Sequence, residues 1–250
     1  MSAGTSARVP RLVRRATAEL LGTAFLVAAV IGSGIAAQRL SPGDTGLQLL
    51  ENSVATGAAL VALILALQPV SASFNPVVTL VERALGRITS PDAVVLVAAQ
   101  IVGGIVGTVV ANLMFDLDAV SISTHHRATG GHLLGEVVAT LGLVVVVFGA
   151  LRSPRIETVA LAVGGYITAA YWFTSSTSFA NPAVTIARTL SDTFAGIAPA
   201  AMPGFVLMQL IGGALGVGAV VLLYADISEA DVLPDSAAPD TWPLMSEERP

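Results

Sequence analysis

One eight-residue phrase occurs twice in this chain, and it restricts the possible folds more than any other feature. Residues 75–82 read Asn-Pro-Val-Val-Thr-Leu-Val-Glu, and residues 181–188 read Asn-Pro-Ala-Val-Thr-Ile-Ala-Arg. Proline fits the first turn of a helix, where its missing N–H would be unpaired anyway, and Asn fits the cap position before it. We therefore expect two short helices, over about 75–85 and about 181–190, that begin in corresponding places.

Long apolar runs make up most of the remaining sequence. Of the 250 residues, 54% are apolar and only 12% are charged, which is about half the charged share of a soluble domain, so most of the surface faces lipid. A membrane helix needs about 20 mostly apolar residues. Six runs are suitable, at roughly 13–37, 49–68, 92–114, 132–151, 157–174 and 203–225. The two Asn-Pro segments lie between these runs and are too short to cross a bilayer.

The likeness between the two halves extends beyond the Asn-Pro phrase. The third and sixth runs both contain Q-x-x-G-G-x-x-G, beginning at Gln100 and Gln209, and the first and fourth open with Glu19 and Glu136. Two copies, over about 13–114 and 132–225, would each supply three spans. Because three is odd, the copies must cross the membrane in opposite directions, which places the working site near the midplane. The glycines, spaced as small-xxx-small, predict close packing between helices.

Charge at the ends of the chain predicts its membrane topology. We expect a short arm at 1–12, a channel domain at 13–225 and an acidic, disordered tail at 226–250. Six spans put both termini on one side, and arginine indicates the cytoplasmic side. The side with the termini holds eight arginines and the other side three: Arg8, Arg11, Arg14, Arg15, Arg83, Arg87, Arg152 and Arg155, against Arg39, Arg127 and Arg188. Both termini are therefore predicted to be cytoplasmic.

The chemistry of the Asn-Pro segments favours a pore. Each short helix has its positive end at the Asn, so two such ends at the midplane repel cations, while the Asn amides donate hydrogen bonds to a passing solute. Glu19 and Glu136 are the only acids deep in the apolar runs, and an acid within the membrane suggests function. They could couple transport to protons or sodium, or they could accept main-chain N–H groups and hold the short helices.

These paired motifs resemble those of the aquaporin, or major intrinsic protein, family over about residues 12–225. The resemblance implies an all-α membrane protein with six transmembrane helices, two re-entrant half-helices, an inverted repeat and no cofactor. It also implies a homotetramer in the lipid bilayer, with one pore for small neutral solutes in each subunit. Glu19 and Glu136 would support the half-helices. The pore motifs would be Asn75, Pro76 and Val77, with Asn181, Pro182 and Ala183.

The sequence departs from the family where the pore is usually narrowest. Val184 stands where most members carry Arg, and the other filter positions correspond to Thr56, Ala169 and Ser178. Such a filter would lack both a bulky ring and a fixed charge, so we expect it to be wide. Arg188 lies one helical turn beyond Val184, on the same face, and is a possible pore charge.

Residues 181–197, with Tyr-Trp-Phe at 171–173 ahead of them, resemble the bacterial subgroup associated with arsenic resistance. The expected function is therefore a passive channel in the bacterial inner membrane for water, glycerol-like polyols and arsenite as neutral arsenous acid. A proton- or sodium-coupled secondary transporter and a closed relative without flux are the alternatives. We expect neither an enzyme, a metal site nor a nucleic-acid partner, and we interpret His125, His126 and His132 as loop residues.

Overall fold

The chain forms a bundle of long helices around two short ones. The computed structural model describes residues 9–155 and 157–225; residues 1–8 of the predicted arm and the predicted tail at 226–250 lie outside them. Within the described ranges there is no strand. The helices are α1 (Arg11–Leu40), α2 (Thr45–Leu67), α3 (Pro76–Ala84), α4 (Ser90–Met114), α5 (Gly130–Ala150), α6 (Glu157–Phe173), α7 (Pro182–Ala187) and α8 (Met202–Leu223).

Six of these helices are the predicted membrane spans. Five of them, α1, α2, α4, α5 and α8, have both the length and the apolar composition needed to cross a membrane. Helix α6 has 17 residues, or about 26 Å at the usual helical rise, which is close to the thickness of a bilayer core. The largest difference in a boundary is at α2, expected from 49 and observed from Thr45. The predicted fold class is therefore confirmed.

The two short helices begin as the Asn-Pro phrase predicts. Asn75 caps α3, where its Oδ1 accepts the N–H of Val77 at 2.9 Å, and Asn181 caps α7, where its Oδ1 accepts the N–H of Ala183 at 3.0 Å. Helix α7 is only six residues long and continues as a 3₁₀ turn over Arg188–Leu190. Sequence and structure thus agree on both ends of each half-helix.

Glycine allows the long helices to pack in two matching pairs, α1 with α4 and α5 with α8. A Cβ placed on Gly103 would lie 2.3 Å from the carbonyl oxygen of Leu20, and one on Gly212 would lie 2.6 Å from that of Val137. No side chain larger than hydrogen fits at these distances, so the close packing predicted for the glycines is confirmed. Helices α1, α2, α5 and α6 then surround a space that α3 and α7 reach from opposite ends.

Candidate functional site

A cavity of about 80 Å³ lies at the centre of the bundle, with room for several water-sized molecules. Most of its walls are apolar side chains from α1, α2, α5 and α6, and its polar groups come mainly from the two segments that lead into α3 and α7. The lining residues are Leu26, Val30, Thr56, Leu60, Ile64, Ala72, Ser73, Phe74, Asn75, Val78, Leu143, Val147, Val159, Val163, Ile167, Tyr171, Ser178, Phe179, Asn181, Val184 and Arg188. We call this the central cavity.

The two Asn side chains tie the half-helices together, N-terminus to N-terminus. Asn75 Nδ2 donates to the carbonyl oxygen of Ala180 at 2.8 Å, and Asn181 Nδ2 donates to that of Phe74 at 2.7 Å. Each carboxamide nitrogen carries two N–H groups, so one N–H of each side chain is left for the central cavity. Two donors therefore face a solute at the point where the positive ends of two helices meet.

Buried carboxylates hold the segments ahead of both half-helices. Glu19 accepts the main-chain N–H groups of Ser73 at 2.9 Å and Phe74 at 2.7 Å. Glu136 accepts those of Phe179 at 3.0 Å and Ala180 at 2.9 Å. Both carboxylates are fully buried, and neither lines the central cavity.

Two glutamines are further partners of these carboxylates, and neither was predicted as a site residue from the sequence. Gln100 Nε2 bridges Glu19 and Thr79, and each of these two hydrogen bonds is 2.8 Å long. Gln209 Nε2 bridges Glu136 and Thr185 in the same way, at 2.6 and 2.8 Å. The sequence signal for them is the glutamine that opens Q-x-x-G-G-x-x-G in both copies, because a polar side chain repeated within an apolar span indicates buried hydrogen bonding.

Backbone strain occurs at matching positions ahead of both Asn residues. Phe74 has φ of 48° and Ala180 has φ of 46°, a left-handed conformation that costs a residue with a side chain about 1–2 kcal/mol. These are the residues whose N–H groups Glu19 and Glu136 accept and whose carbonyls the Asn side chains bind. The hydrogen bonds at both peptide groups offset the strain and fix the direction of each chain reversal.

The structure contradicts the predicted position of Ala169 in the filter. Ala169 is exposed on the outer face of α6, whereas Ile167 and Tyr171 line the central cavity. Successive residues are about 100° apart around a helix, so a residue two positions away faces nearly the opposite side. The other filter candidates, Thr56, Ser178 and Val184, do line the central cavity.

The ring of Tyr171 and the charge of Arg188 both line the central cavity with the filter candidates. The predicted filter had neither a bulky ring nor a fixed charge. The Tyr171 hydroxyl lies 3.3 Å from Thr56 Oγ1. Arg188 is only 2% exposed, its side chain lines the central cavity, and its Nε donates to the carbonyl oxygen of Ala195. The guanidinium carbon lies 3.4 Å from the centroid of the Phe179 ring. Arg188 thus lines the central cavity together with Val184, which carries no charge.

The histidines are not gathered into a site. His125 and His126 are exposed in the connection between α4 and α5, and His132 is part-exposed in the first turn of α5 rather than in the loop. Within the described ranges there is no group of three or more His, Asp or Glu side chains that could hold a metal ion.

Comparison with known proteins finds relatives that are aquaporins or aquaglyceroporins. The model of the major intrinsic protein family matches residues 6–158. The chain is 47% identical to the aquaglyceroporin AqpS of Rhizobium meliloti (strain 1021), over 93% of this chain and 98% of that protein. It is 33% identical to aquaporin A of Dictyostelium discoideum, over 66% and 63%. The X-ray structure of the aquaglyceroporin from Plasmodium falciparum has the same fold, with a TM-score of 0.63 at 18% identity, over 86% and 96%.

Proposed function

This chain belongs to the major intrinsic protein family, and from that membership and the geometry of the central cavity we propose a passive channel for water, glycerol-like polyols and neutral arsenous acid. Members of this family are channels and not enzymes, so conduction of small solutes across a membrane follows from membership. The observation that carries the choice of solutes is the pair of Asn amides, each with one N–H free, in a channel wall that is mostly apolar.

Several features favour neutral, hydroxyl-rich solutes over cations. The positive ends of α3 and α7 oppose cations where the two half-helices meet, and Arg188 adds a charge of the same sign. Hydroxyl groups can accept from Asn75 and Asn181, while the apolar wall accommodates a carbon backbone. Arsenous acid presents three hydroxyl groups without charge, and the resemblance of residues 181–197 to the arsenic-associated subgroup supports it as a cargo.

The supporting groups argue against the coupled transporter. A coupling carboxylate needs access to the ion that it binds, yet Glu19 and Glu136 are fully buried outside the central cavity. Each is already surrounded by donors from the chain. Their proposed role is to position the half-helices, with Thr56, Ser178 and Val184 in the constriction.

The proposed setting is a homotetramer in the bacterial inner membrane with both termini in the cytoplasm. The arginines assigned to the side that holds the N-terminus, among them Arg11, Arg83 and Arg152, support this orientation. Exposed apolar side chains on the outer faces of α1, α2 and α8, among them Phe25, Val54 and Leu222, provide surface for lipid and for neighbouring subunits.

Flux through reconstituted vesicles tests the proposal. Purified protein in proteoliposomes should pass water, glycerol and arsenite down their gradients, and the rates should not respond to an imposed proton or sodium gradient. Accumulation of a solute against its own gradient when a proton or sodium gradient is applied would identify a transporter. Rates equal to those of empty vesicles would identify a closed relative.

Changing Val184 to Arg should reduce glycerol and arsenite flux by about tenfold or more, a barrier of at least about 1.4 kcal/mol, and water flux much less. The new side chain both narrows the constriction and adds a cation beside Arg188, and the larger solutes lose more. Stopped-flow light scattering measures both rates on the same vesicles. Val184→Met, which adds length without charge, separates bulk from charge. Equal loss of water and glycerol flux would show that Val184 does not control solute size.

A further inference from the structure

Three consecutive main-chain carbonyls hold two arginine side chains at one end of the central cavity. Arg127 Nε donates to the carbonyl oxygen of Gly196 at 2.9 Å, and its Nη2 donates to that of Phe194 at 3.2 Å. The carbonyl oxygen of Ala195, between them, accepts from Arg188 Nε. The sequence brings these groups together from the connection between α4 and α5 and from the 3₁₀ turn after α7.

Both guanidinium groups lie over the same aromatic ring. The guanidinium carbons of Arg188 and Arg127 are 3.4 and 5.4 Å from the centroid of Phe179, which itself lines the central cavity. A ring face attracts a cation, but it carries no net charge. Two like charges this near to one another repel strongly where water is scarce, so the pair is short of an anion.

No carboxylate of the described residues accepts a hydrogen bond from either arginine, although the Glu136 carboxylate is near enough to attract both. Their hydrogen-bond acceptors are neutral, namely main-chain carbonyls and, for Arg188, the Tyr171 hydroxyl. Asp192 lies in the neighbouring loop, but its carboxylate accepts the N–H of Thr124 at 2.8 Å, and Glu136 is occupied by the amides ahead of α7. Burial lowers the pKa of Arg127, and the attraction of Glu136 offsets this only in part, which reflects the cost of removing a cation from water without a directly bound counter-charge.

We propose that Arg127 and Arg188 together bind a small planar monoanion of the carboxylate type, and that this anion obstructs the central cavity while it is bound. Arg188 Nε and two Arg127 nitrogens are engaged by carbonyls, and Arg188 also contacts the Tyr171 hydroxyl. Arg127 Nη1 and the remaining Nη N–H groups of Arg188 are left to meet an anion. A guanidinium matches the two oxygens of a carboxylate. Because Arg188 lines the central cavity, an anion held there occupies the solute path.

Formate is the probe, and pivalate is its size control, since pivalate carries the same carboxylate on a tert-butyl group. Each salt is present at the same concentration inside and outside proteoliposomes at about pH 7.5, where both acids are ionised. We expect formate, but not pivalate, to slow glycerol flux. Arg127→Gln should raise the half-inhibitory formate concentration about tenfold or more, because one of two charged partners is lost.

Arg39→Gln is the matched control. Arg39 has the same kind of environment, with Nη2 donating to the carbonyl oxygen of Phe115 at 2.6 Å and the guanidinium carbon 5.3 Å from the Phe115 ring centroid, but it does not line the central cavity. Its half-inhibitory concentration should match the wild-type value. Arg127→Lys keeps the charge without the planar group, so its half-inhibitory formate concentration should lie between those of wild type and Arg127→Gln. This variant preserves the test if the glutamine variant does not fold.

The flux measurement of anion binding rests on the proposed function, because it needs a conducting channel. Thermal unfolding in detergent tests anion binding without that requirement. Formate should raise the unfolding midpoint of wild type and not that of Arg127→Gln. If wild type passed no glycerol even in pivalate, the proposed function would fail, and the midpoint alone would decide the anion site. If formate neither inhibited wild type nor shifted its unfolding midpoint, the arginines would only repel cations. The same conclusion would follow if formate inhibited Arg127→Gln and Arg127→Lys as strongly as wild type.

Discussion

Replacing Glu19 with Gln is expected to destabilise the protein by about 2–6 kcal/mol and to remove most of its solute flux, because two buried donors lose their acceptor at about 1–3 kcal/mol each. The Glu19 carboxylate accepts four donors, two on each oxygen: Ser71 Oγ at 2.5 Å and the Ser73 N–H at 2.9 Å, then the Phe74 N–H at 2.7 Å and Gln100 Nε2 at 2.8 Å. A glutamine has one oxygen, and its NH₂ group would face donors. If the NH₂ group takes the place of Oε2, one of the two donors that lose their acceptor is the N–H of Phe74, whose bond opposes its left-handed strain.

The thermal unfolding midpoint in detergent and glycerol flux in proteoliposomes measure this effect. Glu51→Gln is the matched control, since Glu51 Oε1 accepts Ser41 Oγ at 2.7 Å and its Oε2 has no partner among the described residues. An NH₂ group there meets no donor, so the control should lose less than about 1 kcal/mol. Glu136→Gln should behave like Glu19→Gln. A Glu19→Gln protein as stable as the Glu51→Gln control would contradict the supporting role.

The parts of the fold that sequence predicts well are those set by local chemistry. A run of apolar residues long enough to cross a bilayer has to form hydrogen bonds within itself and so becomes a helix. The caps Asn75 and Asn181, each followed by proline, set the starts of α3 and α7 within a few covalent bonds. These features depend on neighbours in sequence, and for that reason the element order and the two half-helices could be predicted.

The filter could not be predicted as well, because it depends on a chain path that periodicity does not describe. The predicted position of Ala169 assumes a fixed spacing between α6 and Asn181 across residues 174–180. Three of these, Thr177, Ser178 and Ala180, have left-handed backbone conformations, so the segment follows neither helical nor strand geometry. The spacing between α6 and Asn181 therefore differs from the expected one, and Tyr171, not Ala169, lines the central cavity.

The position of Arg188 depends on a contact that is distant from the helix itself. The 3₁₀ turn tightens the end of α7, and the connection that follows folds back so that the carbonyl of Ala195 accepts from Arg188 Nε. The sequence placed Arg188 on the same face as Val184 but contained no sign of this returning segment. Arg127 arrives from the other half of the chain and was not considered a site residue for the same reason.

Replacing Gly103 with Ala is expected to cost about 2–3 kcal/mol or more and to reduce flux, although alanine is the better helix former by about 1 kcal/mol. The new Cβ would lie 2.3 Å from the Leu20 carbonyl oxygen, and both groups belong to rigid helices. Relief requires α1 and α4 to separate by about 1 Å, the distance to ordinary van der Waals contact. Thermal unfolding in detergent measures the loss.

Gly218→Ala is the control for helix propensity, since a Cβ on Gly218 meets nothing within 4 Å and should stabilise α8 by up to about 1 kcal/mol. The loss at Gly103 should reach the pore because Leu20 is the neighbour of Glu19, and Gln100 lies one turn before Gly103. Separating α1 from α4 therefore pulls the Glu19 carboxylate away from Gln100 and from the segment ahead of α3. If Gly103→Ala lowered stability but left glycerol flux per folded protein unchanged, the packing of α1 on α4 would be independent of the half-helix that it supports.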